Sequence, residues 1–281
     1  MLKSPCDPQA IEGTAVWVCA AGYGERLRPY TYVRAKACLP TASPGQPGQK
    51  IWQNIVNHFA FDLKPNAFVL TTYYRPDDFG DARAYGEMIG IPVVTFQTEV
   101  LHNTACDFDL LRIFFPGIKT WYLCLGDMVL SGEDLIFFRD HFNAIAVGKW
   151  FKDSGTLFLN HGCQWFREKP KEKFDAEFKY RWRGILKMTP EVFRKPLPEP
   201  FLCTKSDRHS LHGKSFQETF MEAIVGNYQY FEPLHFGEKS IIDVGERGKY
   251  EQFFGGTERA ILERIRSDRG SGSKASSRKR Y

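Results

Sequence analysis

The chain has 281 residues, 43% apolar and 25% charged. These figures exclude wholesale disorder and suffice for one large domain, or two small ones, with a core that needs no staples. The net charge of +5 excludes less than it promises, because residues 267–281 (SDRGSGSKASSRKRY) alone hold five Lys or Arg against one Asp, and no basic face for specific nucleic-acid binding is expected on the folded part. No apolar run approaches the roughly 18 residues that span a bilayer, and MLKSPCDPQA lacks an apolar leader core, so a soluble cytoplasmic protein without membrane contact is expected. The seven cysteines are odd in number and contain no CxxC, which favours reduced thiols over disulfides or zinc.

Residues 1–13 read as an irregular extension. Thr14–Ala20 (TAVWVCA) is a short apolar run ending in a glycine turn, the form of a buried strand, and Ala67–Thr72, Pro92–Phe96 and Trp121–Leu125 repeat it. Helical patterns lie between them at Ile51–Phe61, Asp77–Ile89 and Thr104–Phe114. This alternation predicts an α/β fold, a Rossmann-like, mostly parallel mixed sheet with helices on both faces, whose strand-to-helix loops gather at one ligand-binding edge. Farther on, Ala144–Lys152, Thr156–Leu159, Gln164–Glu168, Arg183–Met188, Tyr228–Leu234 and Ile241–Val244 read as strands, Phe216–Val225, Lys249–Phe254 and Thr257–Ile265 as helices. They predict a small accessory sheet or lid within a domain over 14–253, then a C-terminal helix (254–266) and a disordered basic tail (267–281). The aromatic content of 15% fits core packing or a homo-oligomer interface equally well.

The densest chemical signal is Ala20–Pro40, AAGYGERLRPYTYVRAKACLP, directly after the first strand. Gly22 and Gly24 let the backbone approach a ligand and turn its N–H groups inward, and Arg26 and Lys36 add fixed positive charge, the makings of a triphosphate cradle. It is not a Walker A loop, and Gly45–Lys50 (GQPGQK) only superficially evokes one. Asp127 ends a buried strand after Gly126, and Asp243 sits between apolar neighbours before a glycine. Two such carboxylates could share one Mg²⁺ with phosphate oxygens and waters. Asp107 and Asp109 form a D-x-D, but residues two apart on a helix diverge by about 200°, so they are read as a helix-start acidic pair rather than a chelate.

The glycine stretch resembles the signature of the nucleoside-diphosphate-sugar pyrophosphorylases, the sugar-1-phosphate nucleotidyltransferases, with Ala35 where a proline usually precedes the lysine. Leu125-Gly126-Asp127, Trp165–Pro170 (WFREKP), Ile242-Asp243-Val244-Gly245 and Asn103-Thr104-Ala105 are similar to further family segments in the same order, although Glu246-Arg247 replaces the usual Thr-Pro. The resemblance implies transfer of a nucleoside monophosphate from an NTP to a sugar-1-phosphate with release of pyrophosphate. It implies catalytic roles for Arg26, Lys36 and Lys169, and nucleotide contacts by Ala21, Gly22, Gly24, Gln97, Asn103 and Thr104. It also implies sugar contacts by Glu168 and Gly184, and Mg²⁺ on Asp127 and Asp243. Two alternatives stay open: a cytidylyltransferase acting on phosphocholine or another small phosphorylated alcohol, and a non-catalytic regulatory subunit of the same fold. The nucleobase and the sugar are not legible.

Overall fold

Gly13–Cys19 (β1) is an inner strand of a nine-stranded sheet, and its alternation splits the core in two. Val16 and Val18 face one side, packing with Trp52, Phe59, Phe68, Leu70 and Tyr122; Ala15 and Trp17 face the other, with Val69, Phe108, Leu111, Trp121 and Leu123. The computed structural model describes residues 8–41, 49–98, 104–132, 134–151, 154–160, 163–167, 176–189, 192, 221, 225 and 230–273.

In chain order the elements are α1 (Tyr30–Val33), α2 (Ile51–Asp62), β2 (Ala67–Thr72), α3 (Ala82–Ile89), β3 (Val93–Gln97), α4 (Thr104–Phe114), β4 (Ile118–Leu125) and β5 (Met128–Leu130). Then come β6 (Ala144–Lys149), β7 (Thr156–Asn160), β8 (Cys163–Arg167), β9 (Phe178–Met188), β10 (Glu232–His235), β11 (Ile241–Asp243), α5 (Arg247–Phe254) and α6 (Glu258–Ser273).

The sheet runs β10-β6-β9-β4-β1-β2-β3. The strands β4, β1, β2 and β3 are parallel, and β9 is antiparallel to both β4 and β6. The hairpin β7–β8 attaches along the N-terminal half of β9, and β5 pairs with β11 in a second, two-stranded sheet. This is the expected α/β architecture, a mostly parallel mixed sheet with helices and a small second sheet. None of the described helices is long and apolar enough to cross a membrane.

Several elements differ from the sequence reading. The stretch Asp77–Ile89 is broken: a 3-10 turn covers Pro76–Phe79 and α3 begins only at Ala82. Strand β9 starts five residues before Arg183, and β5 has no counterpart among the predicted strands. Helix α6 continues to Ser273, into the stretch read as a tail. Of the predicted helix Phe216–Val225, only Met221 and Val225 are described; the Val225 N–H donates to the Met221 carbonyl at 2.9 Å, a helical spacing.

Candidate active site

Parallel strands place the ends of β1, β2, β3 and β4 at one edge of the sheet, and the glycine loop springs from the first of them. Gly24 has φ +63°, a left-handed conformation that costs little only for glycine. A Cβ there would also lie 2.7 Å from the Thr31 side chain and 3.1 Å from Lys36 Cβ, so the loop packs directly on the base of the lysine. At Gly22 a Cβ would meet nothing within 4 Å; this glycine borders open space. The two variants should therefore separate folding from ligand approach. Gly24→Ala is expected to lower stability by about 1–2 kcal/mol, while Gly22→Ala should keep the wild-type melting temperature and raise KM for the nucleotide; thermal melts and steady-state kinetics read the two.

The loop continues to Lys36 through Ala35, which is fully buried. Its N–H, a donor that proline would lack, gives a 2.6 Å hydrogen bond to Asp78 Oδ2, and that carboxylate also accepts 3.0 Å from Arg75 Nε. The bond to Asp78 thus ties the loop at the position where the resembled signature carries a proline.

Gly126 closes β4 against β1. Its N–H donates to the Cys19 carbonyl at 3.1 Å, and a Cβ would stand 2.6 Å from the same oxygen, so any larger residue would push the following Asp127 outward. The Asp127 side chain is 8% exposed. Its Oδ2 accepts from Lys36 Nζ at 2.9 Å, and its buried Oδ1 has no hydrogen-bond partner among the described residues.

The short sheet brings in the second carboxylate. Asp243 of β11 pairs in register with Met128 of β5, and the Val244 N–H donates to the Asp127 carbonyl at 3.0 Å. Asp243 Oδ1 accepts the Gly245 N–H at 2.9 Å; its Oδ2 faces Arg181 Nη2 at 3.4 Å and Lys249 Nζ at 3.6 Å. A Cβ on Gly245 would overlap Asp127 Oδ2 and stand 3.0 Å from Asp243 Oδ1, so both carboxylates border the gap that this glycine leaves. Arg26 reaches the same rim, with Nη1 3.0 Å from Glu246 Oε1 in an exposed pair.

Burial alone would raise the Asp127 carboxyl, but the charge and hydrogen bond of Lys36, with Arg26 behind it, outweigh that and hold it below the usual carboxylate range. A depressed carboxyl contributes stability above its unfolded value of about 3.9 and loses it as pH falls through the folded value. Urea midpoints should therefore fall less steeply below about pH 4 in Asp127→Asn than in wild type. Burial pushes the neighbouring Cys19 and Cys124 thiols up, with Asp127 adding to it, which keeps them protonated and unsuited to nucleophilic work.

An orphaned buried carboxylate oxygen, a second carboxylate across a side-chain-free gap, and an all-oxygen donor pair suit a hard divalent cation that keeps waters and takes phosphate oxygens. Among the described residues there is no cluster of three or more His, Cys, Asp or Glu, so the protein would supply two ligands.

Of the predicted site residues, Gly24, Arg26, Lys36, Asp127 and Asp243 converge here, with Ala21 and Gly22 on the loop between β1 and Gly24. Gln97 and Thr104 lie away on the β3 side of the same edge, Gln97 exposed at the strand's end and Thr104 opening α4. Gly184 is buried at φ +77° against Met128, where it supports β5 next to Asp127. Asn103, Glu168 and Lys169 lie outside the described residues. The D-x-D pair sits on α4 as expected, Asp109 taking Arg112 at 3.3 Å. Sequence reasoning missed Asp78, Arg181, Glu246 and Lys249. A usable signal existed for Arg181, two positions before Arg183 and thus on the same face of a strand.

The fold and this edge define an α/β chain with a mostly parallel mixed sheet and a glycine loop at its C-terminal edge. No family model and no curated protein sequence matches it. Solved structures do: one described as a glucose-1-phosphate thymidylyltransferase from Bacillus anthracis, in complex with sucrose, superposes with a TM-score of 0.63 at 15% identity over 86% of this chain and 94% of that one. An inositol-1-phosphate CTP transferase from T. maritima gives 0.57 at 15% identity over 92% of this chain and 98% of that one. At that identity the likeness is one of fold.

Proposed function

We propose that the chain transfers a nucleoside monophosphate from an NTP to a phosphorylated acceptor of the sugar or polyol class and releases pyrophosphate. The observation that carries this reading is the Lys36–Asp127 pair facing Asp243 across Gly245, beside a glycine loop at the C-terminal edge of a parallel sheet. The names of the two structural neighbours, a sugar phosphate and an inositol phosphate transferase, support the acceptor class.

The attacking group is an already ionised phosphate oxygen of the acceptor. It bonds to the α-phosphorus while the bond to the β-phosphate oxygen breaks and pyrophosphate leaves with that electron pair, so the site needs no general base. The work left to the protein is positioning and charge neutralisation. Arg26 would exchange Glu246 for the β,γ-phosphates, an exposed pair that costs little to open. Lys36 would share its charge between Asp127 and an α-phosphate oxygen, and the loop from Ala21 to Gly24 would present its N–H groups. Glu168 and Lys169, directly after β8, would hold the acceptor. Mg²⁺ held by Asp127 and Asp243 would supply further neutralisation of the phosphate oxygens.

A pyrophosphate-release screen of five NTPs against sugar-1-phosphates and polyol phosphates with Mg²⁺ tests the reading. Turnover with at least one pair is the expected result; silence from pure, folded protein across the panel overturns it.

A further inference from the structure

A cavity of about 340 Å³ opens between β9 and α5, next to Asp243. Its polar lining is Arg181, Arg183, Glu238, Asp243, Lys249 and Gln252, three cations against two carboxylates.

The two arginines stand two apart on β9 and share a face, yet they are used differently. Arg183 is largely committed: its side chain is 3% exposed and it donates to Glu238 Oε2 at 2.9 Å, to the Glu238 carbonyl at 3.2 Å and to the Ile241 carbonyl. It staples the turn between β10 and β11. The Arg181 side chain is almost as sheltered, 13% exposed, and its Cζ lies over the Phe151 ring, 4.3 Å from the centroid. Among the described residues its ion pair is one long contact, 3.4 Å to Asp243 Oδ2, an oxygen that Lys249 shares at 3.6 Å. A guanidinium carries five N–H donors in a fixed fork, so Arg181, which lines the cavity, keeps donors to spare there. Once Asp243 serves a divalent cation, Arg181 loses its counter-charge, while Lys249 keeps Glu246 at 3.6 Å.

We propose that this cavity binds a second anionic group of the acceptor, a phosphate or carboxylate carried in addition to the reacting phosphate, on Arg181 with Lys249 at the rim. The inference rests on the transfer reading for the ligand's identity as the acceptor. The substrate class it names is a doubly anionic phosphorylated sugar or polyol rather than a neutral sugar with one phosphate.

The test is calorimetric, on the full chain with Mg²⁺ and the α,β-methylene analogues of the five NTPs, using glucose 1-phosphate, glucose 1,6-bisphosphate and glucuronate 1-phosphate as probes. A charge-assisted contact of this kind should make the two doubly anionic probes bind about 10- to 100-fold more tightly. Arg181→Met should erase that preference, and Lys249→Met, at a 43% exposed position that folding tolerates, should shrink it. Melting temperatures report whether each variant folds, and Lys249→Met carries the test if Arg181→Met does not. Equal affinities in wild type, no binding of any probe, or a preference that survives both variants overturns the proposal. Preferential binding without pyrophosphate release from any NTP would sustain the cavity and sink the transfer reading. Turnover without preference would do the reverse.

Discussion

Lys36→Ala is expected to lower the rate of pyrophosphate release at least about 100- to 1000-fold, the usual cost of removing one preorganised charge from a developing oxyanion. The lysine is well placed for so large an effect. Its base is clamped by Gly24, its backbone by the bond from Ala35 to Asp78, and its ammonium by Asp127 at 2.9 Å, so little reorganisation remains to be done at the moment of reaction. A second signature separates this role from a structural one. With Lys36 gone, burial dominates at Asp127 and its carboxyl should rise, moving the acidic limb of the residual pH–rate profile upward. Asp127→Asn should lose a comparable factor without that shift, since no carboxyl is left there to titrate. Near wild-type turnover in either purified, folded variant contradicts the assignment.

Such residues were legible where a local pattern carried them. Ala67–Thr72 and Thr104–Phe114 appear at their predicted bounds because an apolar run between turn signals, and a threonine opening an amphipathic stretch, are complete within themselves. Strand β5 was not legible: three residues, Met128–Leu130, acquire strand form only by pairing with β11 more than 100 positions later. The start of β9, Phe-Lys-Tyr-Arg-Trp, does alternate, but its charges disguise an inner strand, and one of them, Arg181, lines the cavity beside Asp243. The carboxylates announced themselves through nearby glycines, and the lysine through the glycine-rich stretch that precedes it. Asp78 and Glu246 did not, since each acts on a site residue remote in sequence: Asp78 on the backbone before Lys36, Glu246 on Arg26. Glu246-Arg247, a departure from the family pattern, has a visible use. Glu246 contacts Arg26 and Lys249, and Arg247 joins Glu251 and Glu258, tying α5 to the start of α6.

Gly245→Ala should be as damaging as the loss of either carboxylate, for a different reason. Gly245 has no left-handed φ, so alanine can adopt its backbone, and the added methyl is the whole perturbation. That methyl would overlap the van der Waals sphere of Asp127 Oδ2 and stand 3.0 Å from Asp243 Oδ1. The backbone on both sides is fixed, by Gly245 N–H on Asp243 and Val244 N–H on the Asp127 carbonyl, so the carboxylates must move apart rather than the chain. Moving Asp127 strains its bond to Lys36 and drives an apolar group into the gap where a divalent cation and phosphate oxygens would meet. A misplacement on the order of 1 Å in such an arrangement costs about 100-fold in rate, and a similar loss is expected here. Titration with Mg²⁺ should show the added damage: the variant's activity should saturate at a higher concentration than wild type, whereas a purely structural defect would lower the plateau and the melting temperature together. Wild-type turnover with wild-type Mg²⁺ dependence would place the catalytic centre somewhere other than around Gly245.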